Sequence, residues 1–575
     1  MRVLALALFL LTGCRGDGRY LGNTKPPDGQ KLVYANTHEP FSLDPAMQTV
    51  QTESNIQQCL FEGLAVSNPV TSQPMAGMAT HYEVSADGKV YTFYLRGHSH
   101  PQGIRLADIG ALPPEFSHRA QAPADSVPAR RSDGAPVTAA DFVYSWRRLV
   151  DPHVASPNAS DVAIILNARD IVAGKQAPDH LGAEALDDFT LRVHLESPAP
   201  YFVGLATQAD LMPVPRHVVE RARLTGHVDQ WARPGRIVGN GPFSLAEWRP
   251  YESLRVVKSQ TYYERDLVKL NEITFIPTDS TAVINLYRAG RVHSLYQDSL
   301  PPSLIPALKS KADFRSDRQL ALLFVSINTH EPPLDNQMLR WAVNMAIDKR
   351  AIAEFWSSKP ARRLIPSVPG YTSPQSLVVE VRGKKYDIMA YDPAGARELL
   401  ASAGYPGGFD ASGKRLAFPI TIWSQRAEMA EMIRYQLVNN LNIEVRVNVM
   451  EASVLAAAQY NGAVEGISIW VWDLGYIDPY NLLGPMFTDF LGWHDSGYAA
   501  EVEEASRQLD PRTRLQRLAL CETRLMQSMP LIPLFFMPDF YLVKPYVRGL
   551  VTDLLGDVSF RYAFIDSKFQ ERVQP

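Results

Sequence analysis

Residues 419–450 read PITIWSQRAEMAEMIRYQLVNNLNIEVRVNVM. Pro419 to Trp423 is strand-like, Glu428 to Asn440 helical, and Ile443 to Met450 strand-like again. A strand–helix–strand succession argues for an α/β unit. Upstream, Leu322 to Asn328 is a mostly apolar run suited to a strand buried on both faces. Leu334-Asp335-Asn336 opens a helix predicted through Asp348, with Leu339, Ala342, Ala346 and Ile347 at helical spacing. Asp392-Pro393 starts another, closed by Gly404. Downstream, Leu531 to Val543 is strongly apolar and strand-like. These segments define a lobe beginning near Leu320.

The chain has 575 residues, more than one core accommodates, so at least two lobes are expected. Strands are predicted at Leu32–Ala35, Lys89–Arg96, Thr190–Leu195, Leu254–Val257 and Glu272–Ile276. A helix is predicted from Glu53 to Leu64, ending near Gly63, and Thr138 is placed to cap a helix running from Ala139 through Trp146. Gly97 to Arg130, rich in Pro and Ala, reads as a loop. Gly239-Asn240-Gly241 is a lone Gly-x-Gly followed by Pro242, which a turn between strands explains better than a dinucleotide fingerprint.

Hydrophobic residues make up 46%, enough for real cores, and a net charge of −4 in so long a chain points neither to nucleic acid nor to an anionic membrane surface. There is no His-Glu-x-x-His, Cys-x-x-Cys, P-loop, Gly-x-Ser-x-Gly or EF-hand loop, and the 13 histidines are scattered. His98 and His100 fall in a Pro-rich stretch that reads as solvated loop. Neither a catalytic centre nor a metal or cofactor is expected. Met1-Arg2 followed by the apolar run Val3 to Leu11 reads as a signal peptide, too short to span a membrane. It ends in Leu11-Thr12-Gly13-Cys14, which resembles a bacterial lipobox and makes Cys14 the expected lipidation site. Arg15 to Gln30 reads as a flexible tether, and Cys59 and Cys521 as buried free thiols.

In order along the chain come Ser42-Leu43-Asp44-Pro45, Leu60-Phe61-Glu62-Gly63-Leu64 and Tyr91-Thr92-Phe93-Tyr94-Leu95-Arg96. Ser132 to Trp146, Gly239-Asn240-Gly241-Pro242-Phe243, Ala342 to Asp348 and Tyr476-Ile477-Asp478-Pro479 follow. This order and spacing resembles the extracytoplasmic peptide-binding proteins of ABC importers, solute-binding protein family 5, from about Lys31 to the C-terminus. The resemblance implies an α/β, two-lobed periplasmic binding protein type II fold with an extra N-terminal subdomain. The expected division is 1–13 signal peptide, 14–30 tether, 31–61 and 217–320 lobe I, 62–216 extra subdomain, 321–540 lobe II, and 541–575 returning to lobe I. The implied partners are a peptide held largely through its backbone between closing lobes and the permease subunits of a transporter, with a monomer anchored by its lipid.

The resemblance places Trp472, Asp473, Gly475 and Tyr476 at the ligand, with Thr49, Val50 and Gln51 on the cleft after the Asp44-Pro45 turn. The family sets an Asp three residues after that Trp to pair with the α-amino group of the peptide; here the position is Gly475. Either Asp473 substitutes for it or the ligand lacks a free ammonium at that point. A family tyrosine on the subdomain's ligand face is replaced by Asn158 or Asp161, and Tyr460 to Trp470 contains no Lys or Arg to meet a peptide carboxylate. The altered contacts leave open a ligand other than an ordinary peptide (an oligosaccharide, a metal chelate or a modified peptide) or a sensor that docks on a membrane receptor.

Overall fold

The computed structural model describes residues 18–569 apart from 111–124, 279, 296–299, 362, 367, 375 and 424–425. Cys14 and the expected signal peptide lie outside the described residues. Three five-stranded sheets organise the rest. In lobe I the order is Ser294–Leu295, Lys31–Ala35, Glu272–Ile276, Ser253–Lys258, Phe243–Arg249, with the first three strands parallel and the rest antiparallel. The subdomain sheet is antiparallel throughout: Ile104–Arg105, Ala79–Val84, Val90–Leu95, Thr190–His194, Ala183–Asp187. Its outermost strand and the short helix Leu106–Ile109 give structure to a stretch read as loop.

Lobe II is built on Glu444–Met450, Ala417–Trp423, Ile467–Asp473, Phe314–Ile327 and Leu531–Leu542, in that order. The first pair is parallel and is joined by the helix Ala427–Leu441. Leu322, Leu323, Phe324 and Val325 are fully buried, as a strand covered on both faces must be. The last two strands run through both lobes. Their pairing shifts register between Arg318 and Leu322, opposite Pro538 and Phe536. Below the shift, Phe540 and Leu542 pack with Ala35 and Val283; above it, Leu322–Ile327 and Leu531–Phe535 belong to the lobe II core.

Local chemistry explains several boundaries. The helix Ala139–Val150 starts where Asp141 accepts the backbone N–H of Thr138 at 2.9 Å and its hydroxyl at 3.2 Å, closing the first turn. Asp392 accepts the N–H of Gly395 at 3.0 Å to start Pro393–Ser402. The helix expected to reach Leu64 spans Gln51–Leu60 instead. Its end is met by Gly239-Asn240-Gly241: the Gly241 N–H donates to Leu60 O at 2.9 Å, and a Cβ on Gly239 would lie 1.9 Å from that same oxygen. Asn240 bridges onward, donating to Glu62 O at 2.8 Å. The glycines permit a backbone-to-backbone contact where lobe I meets the subdomain.

The segment read as a tether is held against lobe I from Gly18 on. The Leu21 N–H donates to both Asp313 oxygens at 3.1 Å, Lys544 Nζ donates to Leu21 O at 2.8 Å, and Gln30 pairs with the backbone of Ile565 at 2.8 Å each way. Tyr20 packs edge-on against Phe569. Its composition suggests a solvated chain, but specific backbone bonds to lobe I residues fix it. Cys59 and Cys521 are buried and unpaired with each other.

Lys349 of lobe II is buried with no hydrogen-bond partner on Nζ among the described residues, and burial lowers its pKa to about 7. The unfolded value is near 10.4, so the unfolded chain binds the extra proton between those two values and stability falls as pH drops through that window. Lys349→Met is expected to raise the melting temperature at pH 7, with the gain shrinking toward pH 10.5. An equal gain at both pH values would show that the amine's charge is not the cause.

Candidate functional site

A cavity of about 670 Å³ lies between the extra subdomain and lobe II. The lobe II wall begins at Trp472, on the central strand of its sheet, paired with Leu322. Its indole Nε1 donates to Asn481 Oδ1 at 2.9 Å, and the ring packs edge-on against Phe487 at 4.9 Å. Trp472 is therefore held by lobe II while one edge lines the cavity. Asp473, the last residue of the strand, is exposed, lines the same cavity and accepts from Gln319 Nε2 at 3.3 Å.

Gly475 has a specific neighbour. A Cβ there would fall 2.1 Å from Nε2 of Gln208, a subdomain residue. The Gln208 amide occupies the space into which a side chain at 475 would project. Next to it, Tyr476 stacks on Tyr201 of the subdomain at 4.9 Å with a 10° interplanar angle, and Tyr480 stacks on Tyr201 at 5.2 Å and 22°. Burial pushes the Tyr201 and Tyr476 phenols well above their ordinary range, so the contact is uncharged. Beneath it, Asp478 accepts two bonds from Arg514 at 2.7 and 2.8 Å and a third from the Tyr480 N–H at 2.9 Å.

The subdomain wall carries Asp161, Arg169, Tyr201 and Gln208. Burial pushes the Asp161 carboxyl up to about 6. Asp210 is 6% exposed with no hydrogen-bond partner on Oδ2 among the described residues; burial, and secondly the charge of Asp161, hold it well above the carboxylate range.

The other sequence candidates sit elsewhere. Asn158 Nδ2 donates to Gln48 O at 2.9 Å, pinning a subdomain turn to lobe I. The Thr49 N–H and hydroxyl donate to Glu53 Oε2 at 2.7 and 3.2 Å, while Val50 caps the same helix, 42% exposed. Gln51 Nε2 donates to Asp557 Oδ1 at 2.5 Å. None of these four lines the 670 Å³ cavity. Sequence reasoning missed Tyr201, Gln208, Asp210 and Arg514. Tyr201 and Gln208 follow the strand Thr190–His194 in irregular chain with no periodic signal, whereas Asp510-Pro511 marks the start of the helix that carries Arg514.

Residues 130–491 match the family described as bacterial extracellular solute-binding proteins, family 5 (middle). The chain belongs to this family, and is a ligand-binding protein of two-lobed α/β fold rather than an enzyme. It is 29% identical to the periplasmic oligopeptide-binding protein of Salmonella typhimurium, over 91% of this chain and 90% of that one. It is also 29% identical to the probable deoxycholate-binding periplasmic protein of Escherichia coli, over 92% of each. The solved Escherichia coli murein tripeptide binding protein superposes with a TM-score of 0.75 at 27% identity, covering 94% of this chain and 99% of that one. Its unliganded open form gives 0.70, at the same identity and covering 94% and 98%. Among the described residues no helix is long and apolar enough to cross a membrane.

Proposed function

We propose that this protein captures a peptide or peptide-like ligand between its subdomain and lobe II, closes over it, and delivers it to the permease of an ABC importer. The observation that carries this reading is the 670 Å³ cavity whose two walls meet through the Tyr201–Tyr476–Tyr480 stack. That volume lies in the range of small-molecule and short-peptide sites. The stack ties the walls together, so it forms only when they approach, and a ligand that fills the cavity favours the closed arrangement by its differential affinity. Membership of a solute-binding family, and relatives named for oligopeptides and a murein tripeptide, support the ligand class.

Small-angle scattering of the ligand-free chain against the same chain with saturating peptide is expected to show a smaller radius of gyration. The strands crossing near Leu320 and Phe540 are the expected hinge. Identical profiles, with binding confirmed by calorimetry, would remove the closure model. Cys14 is proposed as the lipid anchor: Cys14→Ser should release the protein from the membrane fraction, and unchanged fractionation with an unchanged mature N-terminal mass would exclude it. A second reading, a non-peptide ligand, is favoured by one observation: Gln208 fills the place of the family's amine-binding side chain. The relative named for deoxycholate belongs with it.

A further inference from the structure

We propose that the subdomain wall, through Asp161 backed by Asp210, takes the place of position 475 in binding a cationic group of the ligand, an ammonium or guanidinium, inside the cavity. This rests on the reading of the cavity as the ligand site. Three observations meet there. First, position 475 is a glycine with the Gln208 amide lying where its side chain would begin, so lobe II offers no carboxylate at that point. Second, Asp161 lines the cavity from the opposite wall and pairs with no basic side chain among the described residues. Arg169, on the same wall, makes no ion pair with it, and the other cavity carboxylates, Asp473 and Asp489, lie across the cleft near Gln319 and His494. Third, Asp210, more than nine-tenths buried, leaves Oδ2 without a hydrogen-bond partner among the described residues and responds to the charge of Asp161. A buried carboxylate without a partner is costly, and a like charge near it makes it more so. A cation entering the cavity at Asp161 relieves both, which gives the ligand's charge a reason to be selected.

The test uses the full chain, titration calorimetry and three probes: trialanine, N-acetyl-trialanine and 1,6-diaminohexane. The parent protein is expected to bind trialanine at least about thirtyfold more tightly than the acetylated form, the scale of losing one partner of a buried charge pair. Asp161→Asn should erase that preference, Asp161→Glu should keep most of it, and Asp210→Asn should weaken it, all with melting temperatures close to the parent. A preference that survives Asp161→Asn overturns the proposal, as does an acetylated peptide that binds the parent as well as the free one. If neither peptide binds, the peptide reading fails by itself and the diamine decides. Diamine binding that is lost in Asp161→Asn supports the acidic wall; diamine that does not bind, or binds regardless of Asp161, overturns it. Should Asp161→Asn misfold, the Asp161→Glu and Asp210→Asn titrations carry the same decision.

Discussion

Arg514→Met is expected to remove about 3–5 kcal/mol from lobe II and, with it, measurable ligand binding. Arg514 is 4% exposed at its side chain, and among the described residues its two bonds to Asp478 are the carboxylate's only charged contacts. Without the guanidinium, Asp478 becomes an uncompensated buried charge, and that penalty exceeds the worth of the pair itself. The same guanidinium lies 5.8 Å from the Tyr201 ring centroid, and its Nε donates to Ser506 O at 3.3 Å. Its loss therefore frees the loop that carries Gly475, Tyr476 and Tyr480. The double variant Arg514→Met with Asp478→Asn should recover part of the stability, because the stranded charge is gone. Thermal melting and calorimetry of the three proteins check this. Arg514→Met melting with the parent would show that the loop is held by other means.

Tyr201→Ala is expected to weaken ligand binding about 10- to 100-fold, and to reduce the compaction that ligand produces in scattering. Two ring stacks across the cleft are lost, each contributing about 0.5–1.5 kcal/mol beyond area burial. Tyr201→Phe keeps both faces and should bind nearly as the parent does. A Tyr201→Ala protein with parental affinity would mean that Tyr476 and Tyr480 contribute nothing to closure through this ring.

The repeating elements of the fold could be read because their signals are local. Alternation in Val90–Leu95 and Glu272–Ile276, the apolar run in Leu322–Ile327, and the Asp392-Pro393 and Thr138 starts all reflect chemistry within a few residues. The helix at Gln51–Leu60 ends early because Gly239 and Gly241, some 180 residues away, bring a backbone against it. No pattern inside the helix announces that. The site divides the same way. Trp472, Asp473, Gly475 and Tyr476 stand together in one short run and line the cavity. Their counterparts, Asp161, Tyr201 and Gln208, come from irregular chain on the other wall, where neither spacing nor composition marks them. Asn158 was one of two candidates for the same place; its amide is used in joining the subdomain to Gln48, while Asp161 lines the cavity.

The docking of residues 18–30 has a mechanical consequence. If lipid is carried at Cys14, only four Cα–Cα steps, across three intervening residues, separate it from Gly18, where the backbone is already bonded to Lys311. A fully extended chain of that length reaches roughly 14 Å. The body then hangs on a short leash from the bilayer, with lobe I nearest the anchor and little freedom to tumble. Such a protein patrols a thin layer above its membrane and meets the permease at high local concentration in a restricted orientation, instead of searching the whole compartment.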